Sequence, residues 1–303
     1  MANVSVVMCC YNAEQYIQET IESVLGQTYT DFEFIIWNDG STDTTETIIK
    51  SYHDSRIKYF YHENTGVGIA RFLAGNMAGG QYIAIIDSDD ICLPDRIEKE
   101  SSFLDTHQDY VLVSSQMIYI SQNGEQLGRS FSVLSDYVIR RKMADNSVIS
   151  HSGCMYRKSI YDKVGGYSGI VLGEDHVLFS KMMKYGKVCI LPYPLVKYRI
   201  RDLSLMHVVQ GNAYMPILNA FRRKMINDEV IFDEDVTAYN HLYLLSRKST
   251  VGFRKSSDVN RHVSLEERFM GLLKPLLGEV LANRTIVSLK NFFFVVYYAL
   301  RGK

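Results

Sequence analysis

The sequence predicts an α/β fold built on a doubly wound, mostly parallel sheet, with a helical extension at its C-terminal end. Three observations lead there. Short apolar, β-branched runs alternate with helical stretches through the first ninety residues, as successive βα units do. Two of these runs, residues 32–37 and 82–86, stop abruptly at carboxylates, Asp39 and Asp87, and in open α/β sheets the ligand crevice lies outside the carboxyl ends of the strands. Beyond Arg201 the strand pattern disappears and apolar residues recur at helical spacing.

Taken in order, the chain opens with the strand Val4–Cys10, the turn Tyr11-Asn12 and a helix over 13–25 that Gly26 closes. A second strand over 32–37 runs into Asn38-Asp39-Gly40-Ser41-Thr42-Asp43, where Ser41 or Thr42 caps a helix reaching Tyr52. A third strand (57–61), a third helix (66–77) and a fourth strand (82–86) follow, and three βα units in a row imply a parallel sheet with right-handed crossovers. The fourth strand is apolar at consecutive positions, as a strand covered on both faces should be.

After Pro94 a charged helix runs to about residue 107, then a strand spans 110–120 and a hairpin turn falls at Asn123-Gly124. The alternation then fades. A helix near 134–143, a short strand over 153–157 and a break at Gly165-Gly166 precede Gly173-Glu174-Asp175-His176, whose acids suit the N-terminus of the helix that follows. Residues 188–200 read as extended, interrupted at Pro192 and Pro194. The expected division is a first domain over 1–204 and a helical extension over 205–303. In the extension Leu272, Leu273, Leu276 and Leu277 share a helical face around a kink at Pro275. Residues 292–300 are apolar all round but too few to span a bilayer. They dock on the first domain, pair two chains as a homodimer, or make peripheral contact with a membrane.

With 303 residues, 47% of them hydrophobic, the chain can bury one large core or a large core plus an appendage. Five cysteines without C-x-x-C spacing indicate neither a disulfide framework nor a zinc site. The first seventeen residues carry no basic region, and Val4–Cys10 is too short for a signal segment. A cytoplasmic location is therefore expected. The net charge of -1 hides an asymmetry: 18 Lys and Arg stand against 24 Asp and Glu in residues 1–200, and 15 against 10 in residues 201–303. A scattered excess of that size is ordinarily a solvated surface, though it also suits the inner face of an anionic membrane.

The chemistry concentrates at Asp87-Ser88-Asp89-Asp90. Carboxylates so close repel unless a cation lies between them, and hard oxygen ligands at this spacing suit Mg²⁺ or Mn²⁺ completed by phosphate oxygens and water. The plain alternative is a solvated acidic turn before a helix. Other chemistries fit less well. Gly66-Val67-Gly68 begins like a dinucleotide fingerprint, but Arg71 stands where a third Gly or Ala is required. An aspartyl-phosphatase nucleophile would follow the first strand, not the fourth. A glycosidase pair would need an apolar pocket to raise one acid, and nothing in the sequence supplies it.

Four segments, Val6-Val7-Met8-Cys9-Cys10-Tyr11-Asn12-Ala13-Glu14, Trp37-Asn38-Asp39-Gly40-Ser41-Thr42-Asp43, Gly80-Gln81-Tyr82 leading to Asp87-Ser88-Asp89-Asp90, and Gly173-Glu174-Asp175, resemble in order and spacing the motifs of bacterial family 2 glycosyltransferases. The resemblance covers roughly residues 3–202. It implies a GT-A fold and an inverting transfer of a hexosyl or N-acetylhexosaminyl group from a nucleotide-sugar donor, commonly a UDP-sugar, to a glycan or lipid-linked acceptor. Bacterial surface polysaccharide synthesis is the implied setting, and no nucleic-acid partner is expected.

The resemblance implies that Cys10, Tyr11, Asn12, Glu14 and Asp39 surround the base, that Arg71, Asp87, Ser88 and Arg201 meet the rest of the donor, and that Asp89 holds Mn²⁺ or Mg²⁺. Asp175 corresponds to the catalytic base, with His151 and Glu174 on the acceptor side. There are departures. Cys9 and Phe72 stand where relatives often have Pro and Asn, and Arg201 stands where many carry a metal-binding His. Arginine cannot ligate a cation but can hold phosphate bidentately, and His207 is the nearest histidine able to substitute as a ligand. A non-catalytic sugar-nucleotide-binding or scaffold protein of the same fold is the competing reading, and retention of Asp39, Asp87, Asp89 and Asp175 argues against it.

Overall fold

The structure is a computed structural model that describes residues 2–130, 135–143, 148–168, 170 and 173–201. The chain divides into two compact units, Met1–Asp202 and Leu203–Lys303, and the described residues belong to the first. The expected helical extension over 205–303, its apolar stretch 292–300 and His207 lie outside the described residues.

Strands β1 (Val4–Cys10), β2 (Phe32–Asp39), β3 (Ile57–His62) and β4 (Tyr82–Ile85) are joined by crossovers that contain α1 (Ile17–Leu25), α2 (Thr45–Lys50) and α3 (Val67–Asn76). Next come β5 (Ile91–Cys92), α4 (Arg96–Thr106), β6 (Tyr110–Ile120), β7 (Gln126–Arg129) and α5 (Asp136–Met143). The described chain finishes with β8 (Met155–Arg157), α6 (Lys158–Lys163), α7 (Glu174–Met182) and β9 (Lys187–Arg199). One sheet takes the order β3-β2-β1-β4-β8-β6-β9-β5, with β7 beside β6. The first four strands are parallel, as are β6 and β9, while β5, β7 and β8 pair antiparallel with their neighbours. The sheet is thus the doubly wound, mostly parallel one expected.

Each central strand is covered on both faces, which is why it reads as an unbroken apolar run. Period-two alternation sends Val4, Val6, Met8 and Cys10 of β1 to a core with Ile17, Ile21 and Val24 of α1 and Ile97 and Leu104 of α4. Val7, Ile35, Trp37 and Ile83 go to the other face, against Ala70 and Ala74 of α3 and Leu178, Phe179 and Met182 of α7. Each fully buried aliphatic or aromatic side chain there stabilises the fold by about 1.5–3 kcal/mol. The chain leaves β1 for β2 on one side and returns to β4 on the other. A topological switch point therefore opens between the carboxyl ends of β1 and β4, where a crevice is expected.

Several elements differ from the sequence reading. Helix α1 starts at Ile17 and not near residue 13, because the peptide N–H groups of Tyr16 and Ile17 both donate to the Ala13 carbonyl in a turn, and Ala13 N–H is taken by Thr45 Oγ1 at 2.8 Å. Neither Ser41 nor Thr42 caps α2. That task falls to Asp43, whose Oδ1 accepts Thr45 N–H at 3.0 Å. Strand β9 runs through Pro192 and Pro194 without a break, because its register against β6 shifts there, with Leu191 opposite Ser115 and Pro194 opposite Gln116. A bulge tolerates residues that cannot donate to the ladder.

Gly80 shows how the motif before β4 works. Its N–H donates to Ser5 Oγ at 2.9 Å, Ser5 Oγ donates to Glu33 Oε1 at 2.5 Å, and Gly79 N–H donates to the same oxygen at 2.7 Å. A Cβ on Gly80 would lie 2.7 Å from Ser5 N and 2.8 Å from the Val4 carbonyl carbon, both fixed backbone atoms. Gly80→Ala is expected to cost about 1–3 kcal/mol, as overpacking does. Urea denaturation measures this, and an unchanged midpoint would contradict the close approach.

Candidate functional site

The loops after β1 and β2 are stitched together at the rim. Asn12, in the left-handed region at φ 48°, donates its N–H to Ser41 Oγ at 3.0 Å, and its Oδ1 accepts Thr42 N–H at 2.8 Å. Glu14 Oε2 accepts Thr44 N–H at 3.0 Å and Thr44 Oγ1 at 2.6 Å, while Glu14 N–H donates to Asp43 Oδ2 at 3.1 Å. Two of the residues expected to meet a base, Asn12 and Glu14, therefore spend side-chain oxygens on the loop after β2. The Tyr11 ring stands 52% exposed above them. Burial pushes the Cys9 and Cys10 thiols up, which keeps them protonated and unreactive.

Asp39 ends β2 almost fully buried. Its Oδ1 accepts Thr65 N–H at 3.0 Å and Thr65 Oγ1 at 2.9 Å, and its Oδ2 accepts Gly66 N–H at 3.0 Å. Gly66 is the N-cap of α3 and has no side chain to cap with, so Asp39 caps that helix from across the sheet. Gly40 must be glycine beside it, having φ +76° and only 2.6 Å between a would-be Cβ and Asn64 N.

The acid turn follows β4. Asp87 N–H donates to Ser152 Oγ at 3.2 Å, and Asp87 Oδ1 accepts Arg71 Nη2 at 2.7 Å and lies 3.2 Å from His151 Nδ1. Burial works against ionisation of Asp87, but Arg71 and His151 outweigh it and hold its carboxyl well below the usual carboxylate range. His151 Nε2 lies 2.9 Å from Tyr167 Oη, so the imidazole is gripped at both nitrogens. The space left among Cys9, Arg71, Asp87, His151 and Tyr167 is about 10 Å³, the size of one water.

Asp89 faces a different cation, with its Oδ2 2.6 Å from Arg201 Nε. Burial raises its carboxyl, Arg201 pulls it down and the Asp87 charge raises it again, with a net rise. Asp90 is buried, and burial followed by repulsion from Asp89 and Asp87 pushes it well up. The backbone of this turn is held from β9. Arg199 donates from Nε to the Asp89 carbonyl at 2.8 Å, from Nη1 to the Gln122 carbonyl at 3.0 Å and from its own N–H to Asp90 Oδ1 at 2.8 Å. Its Nη2 pairs with Glu19, and its guanidinium lies 4.6 Å from the centre of the Tyr16 ring. The sequence reading gave no role to Arg199 or Tyr167. Arg199 had a signal, since alternation along an extended strand puts it on the same face as Arg201.

Arg71 also bonds Glu174, so one guanidinium spans from the acid turn to the first residue of α7. Glu174 is only 3% exposed. Burial raises its carboxyl, Arg71 lowers it and Asp175 raises it again, with a net rise. Asp175, half-buried beside it, takes His176 N–H on Oδ1 at 2.7 Å.

Could this rim hold a divalent cation? Among the described residues no group of three or more His, Cys, Asp or Glu side chains forms a metal cage. Asp89, crowded by Asp87 and paired with Arg201, nevertheless offers an oxygen-only seat, and magnesium-like ions bind through one or two carboxylates with phosphate and water completing the shell. The residues fit a cation that arrives with a phosphate-bearing ligand.

Residues 5–165 match the model of glycosyl transferase family 2. The chain belongs to this family. An uncharacterized glycosyltransferase of Methanocaldococcus jannaschii is 34% identical over 225 residues, covering 70% of this chain and 76% of the relative. The Escherichia coli UDP-Glc:alpha-D-GlcNAc-diphosphoundecaprenol beta-1,3-glucosyltransferase WfgD is 28% identical over 208 residues, covering 67% of this chain and 79% of that enzyme. The crystal structure of S. aureus TarS in complex with UDP-GlcNAc superposes with a TM-score of 0.64 at 21% identity, over 88% of this chain and 77% of that one. The fold of this family 2 glycosyltransferase is the GT-A fold that its motifs imply.

Proposed function

We propose that this glycosyltransferase is an inverting enzyme that moves a hexosyl or N-acetylhexosaminyl group from a UDP-sugar to a hydroxyl of a glycan or lipid-linked acceptor in bacterial surface polysaccharide synthesis. The observation that carries the reading is the turn Asp87-Ser88-Asp89 at the switch point, with Arg71 on one carboxylate and Arg201 on the other. Two acids and two guanidiniums at one strand end match a diphosphate that arrives with its own cation. The E. coli relative is named for UDP-Glc and TarS was crystallised with UDP-GlcNAc, which supports a UDP-sugar here.

In this reading the exposed Tyr11 ring and the stitched 11–14 and 41–45 loops enclose the base, and Asp39 acts by shaping its wall at the start of α3. Asp87, kept ionised by Arg71, accepts hydrogen bonds from the ribose and the sugar, with Ser88 beside it. Arg201 grips phosphate oxygens. Asp89 would hold Mn²⁺ or Mg²⁺, which supplies positive charge to the leaving diphosphate. Asp175 takes the proton of the acceptor hydroxyl from the opposite side of the sugar, as inversion requires. Glu174 is committed to Arg71, and His151 lines the side nearer the acceptor.

We place this chemistry in residues 1–204. The extension over 205–303 is proposed to pair two chains or make peripheral contact with a membrane. No helix among the described residues is long and apolar enough to cross one.

A panel of UDP-hexoses and UDP-N-acetylhexosamines with Mn²⁺ tests the proposal by donor hydrolysis and transfer, and NMR of the product anomer tests inversion. Tight UDP binding without turnover of any donor would favour the non-catalytic reading. Arg201→Ala is expected to weaken UDP binding severalfold more than uridine binding in calorimetry. An equal loss for both would remove the diphosphate contact.

A further inference from the structure

Arg199 and Arg201 both reach Asp89, but they hold it differently. Arg199 is 2% exposed in its side chain, takes the Asp89 carbonyl, and is itself fixed by Gln122, Glu19 and Tyr16. Arg201 is 40% exposed, sets its Nε 2.6 Å from the carboxylate oxygen and lies 5.8 Å from the centre of the same Tyr16 ring. One arginine is buried in the scaffold, while the other is partly exposed at the rim. Asp87 differs from Asp89 in that its Oδ1 is already shared by Arg71 and His151.

We propose that Arg201 makes cation binding at Asp89 conditional on a diphosphate. This deepens the reading of Asp89 as a cation ligand and rests on it. In the protein without donor, a divalent cation reaching Asp89 meets a guanidinium already on the same carboxylate and is repelled by it. A diphosphate offers that guanidinium a better partner, since the planar fork of arginine matches phosphate oxygens bidentately. The diphosphate draws Arg201 off, and the freed carboxylate receives the cation that the diphosphate brings. A nucleoside has nothing with which to draw Arg201 away. Arg201 thereby distinguishes nucleoside diphosphates both from nucleosides and from free metal.

Loss of the free Mn²⁺ signal in electron paramagnetic resonance, measured on the full chain alone, with UDP and with uridine, tests this without any turnover. UDP is expected to tighten Mn²⁺ binding to the wild type by roughly 5- to 150-fold, the usual range for coupled sites, and uridine to leave it unchanged. Without nucleotide, Arg201→Ala and Arg201→Gln should each bind Mn²⁺ at least about fivefold more tightly than the wild type, the low end of the same range. Adding Asp89→Asn to either variant should abolish that gain, which assigns it to this carboxylate. Equal Mn²⁺ affinity of wild type and both variants in the absence of nucleotide overturns the guarding role of Arg201. Failure of UDP to bring Mn²⁺ to the wild type overturns instead the reading of Asp89 as the donor's cation ligand, so the two failures are read in separate arms.

Discussion

Asp175→Asn is expected to lower sugar transfer by about 10²- to 10⁴-fold, the usual contribution of a positioned base, with little change in donor affinity. The substitution keeps the shape of the side chain and its contact with His176 N–H, and it removes only the basic oxygen. The adjacent acid does not stand in for it. Glu174 is buried against Arg71, whereas Asp175 is half-buried at the same helix start. Glu174→Gln should act on the donor side, by loosening the Arg71 bridge to Asp87, and so raise the donor KM more than it lowers kcat. If Asp175→Asn transfers normally and Glu174→Gln does not, the roles are exchanged; if both stay active, the base is elsewhere.

Asp89→Ala is expected to abolish metal-dependent transfer and leave the fold intact. Stability should change little, because burial raises the Asp89 carboxyl, Arg201 pulls it down and Asp87 raises it again, so its removal loses the pair with Arg201 but relieves burial and repulsion within the turn. The backbone clamp survives, since Arg199 holds the Asp89 carbonyl and not its side chain. Thermal unfolding and Mn²⁺ titration of activity read the two halves separately. A variant that keeps the wild-type Mn²⁺ dependence would sink the assignment, and one with a much lower melting temperature would show that Asp89 supports the fold.

Much of this fold was legible because its central strands are buried on both faces and leave unbroken apolar runs, as in β1, β2 and β4. The hairpin at Asn123-Gly124 and the acidic start of α7 were legible for local reasons, a positive φ at Gly124 and a helix dipole. What escaped depends on partners distant in the chain. The two residues of β5 form a strand only because β9 lies alongside, and α6 is six residues without a strong periodic signal. The carboxylates of the site could be picked out at strand ends, but not their partners. Nothing near Asp39 in sequence says that it caps α3, and nothing near Glu14 says that it binds Thr44 thirty residues away. Arg199 was hidden beside the more conspicuous Arg201.

The position of β9 in the chain has a consequence for synthesis on the ribosome. Asp89 and Arg199 are 110 residues apart, so at about 5–20 residues per second the acid turn is made on the order of 5–20 s before its arginine. During that interval β5 lacks its strand partner, since it pairs with β9. The nascent sheet thus carries Asp89 and Asp90 with neither Arg199 nor Arg201 yet in existence. The last strand of the described chain thus supplies both the partner of β5 and the arginine that clamps the backbone of the acid turn.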